Sequence, residues 1–164
     1  MLAVLTRVAA RAAAALYASP MAEDITQIAG ADQEAVERSC ADVTTGEARY
    51  LMALLDMQRE AGENGPSQAS LARHLNVSAP TALEMLRRLR TMGLVQDEKV
   101  RLTPVGTSAA LVLSTRRRAA LAIMQDVLGL EGEDAEHEAA WLAASASPVL
   151  GRHLISWRAH GPTH

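Results

Sequence analysis

Residues 66–106, PSQASLARHLNVSAPTALEMLRRLRTMGLVQDEKVRLTPVG, permit few folds. Pro66 has no N–H to leave orphaned at a helix start, and Ser67 or Ser70 can cap. Ala69, Leu71, Ala72 and Leu75 then recur at helical spacing. Asn76, Val77 and Ser78 interrupt the run, because Asn tolerates a left-handed backbone and Ser78 can cap the next helix. Pro80 suits that helix's first turn. Ala82, Leu86 and Leu89 form an inward stripe, with Leu83 and Met85 flanking it, leaving Thr81, Glu84, Arg87, Arg88 and Thr91 outward. Gly93 ends the helix; Leu94 and Val95, then residues 100–102, flank the polar tip 96–99 as a hairpin should. Thr103 and Pro104 open another helix. Helix, turn, helix and hairpin in this order predict a winged helix-turn-helix. The bland alternative is a helical pair that packs in a larger core and binds nothing.

Charge favours nucleic acid. The formal net charge of −3 conceals a strong polarity along the chain. Residues 66–118 carry nine Arg or Lys against three Asp or Glu. Residues 21–63 carry ten acids against three bases, and residues 119–164 six against two. A basic module between acidic ones suits phosphate binding. Fifteen Arg and one Lys suggest a coding bias, which explains the choice of Arg but not its clustering.

Ala, Leu, Met and Arg are plentiful and Phe is absent, so the 164-residue chain should be mostly helical. The single Cys40 excludes an intrachain disulfide framework and suits a reducing cytosol; it reads as a small buried apolar residue. No stretch is long enough to span a membrane. The opening MLAVLTRVAARAAAALYASP reads as an amphipathic helix ending at Pro20, with Met21 an alternative start. Asp32 can cap a short helix containing Cys40. Thr44 and Thr45 open a helix carrying Tyr50, Leu51, Leu54, Leu55 and Met57, with Glu47 adding favourable charge to its first turn. Residues 60–65 are a loop on composition. Residues 104–128 read as one long helix closed by Gly129, too apolar for a one-sided surface helix, so burial against a second chain is expected. A helix from about Asp134 to Ala146, stopped by Pro148, and a short one with Leu150, Leu154 and Trp157 follow.

The passages TTGEARYL, LARHLNVSAPTALEMLRRLRTMGLV, VRLTPVG and LAIMQDVLGL followed by EHEA resemble the diphtheria-toxin-repressor family of metalloregulators over roughly residues 43–155. The resemblance implies a homodimer on a palindromic operator, with the helices after the wing at the dimer interface. It also implies manganese or iron(II) as effector, and there the chain departs from the pattern. The positions corresponding to the family's ligands hold Arg49, Met52, Arg117, Leu121, Glu136, Ala140, Ala143 and Ala144. One carboxylate among these cannot supply the converging donors a first-row metal needs. No cofactor is therefore expected. Arg117 and Glu136, whose counterparts face one cation, either bridge directly or stand as two independent solvated side chains. New ligands could come only from His137, His153, His160 and His164.

The residues matching the family's DNA contacts are Ser78, Pro80, Thr81 and Glu84, with Arg87 and Arg88 further along and Lys99 and Arg101 on the wing. Hydroxyls and arginines position on phosphates, whereas Glu84 could accept from a cytosine amino group. The expected architecture is mainly α. An N-terminal extension (1–42) precedes a winged helix-turn-helix DNA-binding domain with a small two-stranded wing (43–106). An α-helical dimerisation domain (107–158) and a flexible tail (159–164) follow. The function expected is that of a cytoplasmic, homodimeric transcriptional repressor or regulator binding double-stranded DNA, not gated by the usual metal, with no membrane partner and no enzymatic activity. The alternatives are a winged-helix protein–protein interaction module without DNA binding, and a regulator sensing metal through non-family ligands.

Overall fold

The structure, a computed structural model, describes residues 40, 42–61 and 65–160. The helices expected before Pro20 and after Asp32, and residues 161–164, lie outside the described part. Six helices are found among the described residues: α1 (Thr45–Ala61), α2 (Gln68–His74), α3 (Ala79–Thr91), α4 (Pro104–Asp126), α5 (Gly132–Ser145) and α6 (Pro148–His160). None is long and apolar enough to cross a membrane.

α1 is the floor of the first half. Its Leu51 and Leu54 are fully buried and meet Leu71 of α2, Leu86 and Leu89 of α3, and Leu111 and Leu113 of α4 in one core. Cys40 is buried in the same cluster, its thiol 3.8 Å from the Ala109 carbonyl. The helix-turn-helix corner is made without glycine: Asn76 takes a φ of 53°, and the Val77 N–H donates to the Ala72 carbonyl. Gly93, at φ 71°, ends α3 so that the Leu94 N–H reaches back to the Leu89 carbonyl.

The wing differs from expectation. Among the described residues no two-stranded sheet forms; a single antiparallel bridge joins Val95 and Leu102. Gln96 N–H donates to the Arg101 carbonyl and Thr103 N–H to the Leu94 carbonyl, and there the ladder stops. Arms of two or three residues around a charged tip have no third strand to extend against. The hairpin is anchored elsewhere instead. Gln58 Oε1 of α1 accepts the Leu102 N–H at 3.2 Å, and Arg90 Nε of α3 donates to the Gln96 carbonyl at 3.0 Å.

The helix expected from about Asp134 to Ala146 is α5, which ends at Ser145, before Pro148; the same proline opens α6, where its missing N–H costs nothing. One expectation for the second half needs correction. The apolar length of α4 is covered largely within the chain. Ala120 and Met124 pack with Ala135 and Ala139 of α5, and Ala119 packs with Ala146 and Leu154. Alanine seams let the helices approach closely enough to bury one another. Val127, Leu128, Trp141, Val149 and Leu150 remain exposed.

Candidate nucleic-acid interface

The exposed face of α3 begins at its cap. Ser78 Oγ accepts the Thr81 N–H at 3.2 Å and lies 2.7 Å from Thr81 Oγ1. Pro80 in the first turn leaves no donor stranded. Ser78, Pro80, Thr81, Glu84, Arg87 and Arg88 are all exposed, while Ala82, Leu86 and Leu89 hold the opposite face in the core. α2 is docked beside it, its start closed by a reciprocal Ser67–Ser70 capping box. Gln68 Nε2 also reaches the Ala79 carbonyl at 3.2 Å. Lys99 is exposed at the hairpin tip. Arg101 is half-buried, its aliphatic stem lying where a side chain on Gly65 would be.

Arg88 is tied differently from Arg87. Its Nη2 lies 2.9 Å from Oε1 of Glu47, a carboxylate in α1 whose side chain is only 3 % exposed. The other oxygen, Oε2, accepts both the N–H and the hydroxyl of Thr44, each at 2.8 Å. Thr44 Oγ1 in turn accepts the Glu47 N–H at 3.3 Å. Glu47 therefore fastens the start of α1 to the last turn of α3. Its Thr-x-x-Glu spacing is a capping signature that the sequence reading passed over, taking Glu47 only as favourable first-turn charge; the contact with Arg88 has no local signal.

Gly106 was also passed over as part of a motif. A Cβ there would lie 1.9 Å from the Leu94 carbonyl oxygen. Thr103 completes the junction: its hydroxyl donates to the Gly93 carbonyl at 2.7 Å and accepts the Gly106 N–H at 3.0 Å. Together these contacts lock the hairpin between α3 and α4.

The positions corresponding to metal ligands are otherwise occupied. Arg49 Nη2 donates to the Leu75 carbonyl at 2.7 Å, joining α1 to the end of α2. Met52 is buried in the core. Arg117 Nη2 bonds Glu136 Oε2 at 2.5 Å, linking α4 to α5. Leu121 packs against the Ala120 cluster, and Ala143 and Ala144 are buried. Burial pushes the neighbouring Tyr50 hydroxyl above its ordinary pKa, partly offset by the Arg49 charge. Among the described residues no group of three or more His, Cys, Asp or Glu converges as a cation site.

A capped, outward-facing helix docked beside a second helix has the layout of a helix-turn-helix module, followed by a turn closed by one bridge. Residues 42–101 match the family described as iron dependent repressor, N-terminal DNA binding domain. Over 109 residues the chain is 30% identical to the iron-dependent repressor IdeR of Mycobacterium tuberculosis (strain H37Rv), covering 65% of this chain and 46% of the relative. It is 28% identical to the diphtheria toxin repressor of Corynebacterium glutamicum and 27% identical to that of Corynebacterium diphtheriae, each over 65% of this chain and 47% of the relative. Residues 42–101 are thus matched to this family's DNA-binding domain, and the similarity to these repressors extends over 109 residues. It spans about half the length of the curated relatives it matches.

This match corrects one expectation. The absence of any cofactor was inferred from the ligand positions alone, whereas the matching family and relatives are named as iron-dependent. Independence from metal is therefore withdrawn. The described side chains at those eight positions, two of them arginines already bonded to other groups, do not fit a divalent cation.

Proposed function

We propose that the chain is a DNA-binding transcriptional repressor, acting in the cytoplasm as a homodimer on a palindromic operator, and not an enzyme. The observation that carries this reading is the exposed face of α3, held rigid by its cap and by Glu47, within a domain matched to a DNA-binding family. α3 would enter the major groove. Ser78 and Thr81 would meet phosphates at its N-terminal end, Glu84 a base edge, and Arg87 the backbone. Pro80 would shape the leading turn, Arg88 would contribute its free edge, and Lys99 and Arg101 would set the hairpin beside the groove. Exposed Trp141, Val149 and Leu150, on helices beyond the reading head, support association with a second copy.

The test is fluorescence anisotropy with a labelled mixed-sequence DNA duplex, with and without iron(II), across a salt series. The logarithm of affinity should fall linearly with the logarithm of salt, and Arg87→Ala should lower the slope by about 1. No binding at low salt under either metal condition, or a slope untouched by Arg87→Ala combined with Lys99→Ala, would refute the proposal. Sedimentation should show a dimer at the concentrations that bind.

A further inference from the structure

α4 carries three consecutive arginines, and the first is the anomaly. Arg117 has Glu136, and Arg118 Nε lies 3.4 Å from the Ser114 carbonyl. Arg116 is only 3 % exposed, and its Nε is buried with no hydrogen-bond partner. No carboxylate among the described residues forms a salt bridge with it. A guanidinium taken out of water without a counter-charge is unfavourable, so such a group calls for an anion.

The surroundings sharpen that demand. The Arg116 guanidinium lies against the first turn of α6. A Cβ built on Gly151 would stand 2.3 Å from Nε, 2.4 Å from Cζ and 2.7 Å from Nη2. Gly151 is thus the residue that lets the cation rest on the helix. The cation sits at the positive end of the α6 dipole, where like charge is unfavourable and an anion is favoured. Ser147 takes up two amides of this turn, its hydroxyl accepting from Leu150 N–H at 3.3 Å and its carbonyl from Gly151 N–H at 2.8 Å. α6 itself carries no Asp or Glu, so no carboxylate of that helix answers Arg116.

We propose that Arg116 and the N-terminal turn of α6 form a binding site for a small oxyanion, of the phosphate or sulfate class, that ties α4 to α6. The site lies away from the α3 face, and its test does not depend on DNA binding.

The experiment is thermal unfolding of the full chain in phosphate against chloride at matched ionic strength and at two protein concentrations. Inorganic phosphate should raise Tm saturably, by about 5 °C once well above its Kd, at both concentrations. Arg116→Met, which keeps the packing volume and removes the charge, should unfold no lower than wild type in chloride and lose the phosphate response. In parallel, the wild-type Arg116 side-chain Nε resonance should shift saturably with phosphate, a readout that needs no variant to fold. Absence of a saturable response in both measurements, or an equal response in Arg116→Met, would overturn the proposal. So would a response that follows ionic strength alone, or one present at the higher protein concentration only.

Discussion

Replacing Glu47 with Gln changes one atom and should loosen the joint between α1 and the reading helix. In the wild type the two carboxylate oxygens divide the work. Oε2 accepts both donors of Thr44, and Oε1 faces the Arg88 guanidinium at 2.9 Å. A carboxamide has one acceptor and one NH2. Whichever way it turns, its NH2 points at a donor, either Arg88 or the Thr44 N–H. A hydrogen bond to a charged group is worth about 1.5–3 kcal/mol where water is excluded. Glu47 is buried, but the Arg88 side chain is 56 % exposed, so water can re-solvate that half and the loss there falls to about 1 kcal/mol. Adding the disturbed cap, Glu47→Gln should cost about 2 kcal/mol. In urea this would move the midpoint by about 1 M. Arg88→Met should cost less, because Glu47 keeps both Thr44 donors. The double mutant should recover about 1 kcal/mol of the summed single losses. A coupling within about 0.3 kcal/mol of zero would refute the reasoning, because two independently solvated side chains would give that result.

Gly106→Ala should destabilise by about 3 kcal/mol in the same denaturation assay, since its Cβ would fall 1.9 Å from a backbone carbonyl that cannot rotate away. Despite its short bridge, the Arg117–Glu136 pair is 39 % and 47 % exposed, so Glu136→Gln should change stability by less than about 1 kcal/mol and lose even that in high salt.

Much of the reading head was legible because its signals are local. Ser78, Pro80, Asn76 and Gly93 each act through their own backbone neighbourhood, and the turn, cap and helix end fall where those residues stand. The inward stripe of Ala82, Leu86 and Leu89 is likewise a matter of helical period. The wing was overestimated, because the same short apolar arms suit either a two-stranded ladder or one bridge held by Gln58 and Arg90. Pro148 was read only as the stop after α5, although a proline also suits the first turn of the next helix.

What the sequence determined by itself, then, is periodicity, capping and the placement of charge along the chain, since these depend on residues a turn or two apart. The tertiary structure decided which charges meet. Glu47 reaches Arg88 across 41 residues, Arg49 reaches the carbonyl of Leu75, and Arg116 is carried against Gly151 with no salt bridge to it among the described residues. Such encounters follow from how α1, α4 and α6 pack. No short-range pattern encodes them, because an arginine's role depends on what a distant helix places in front of it.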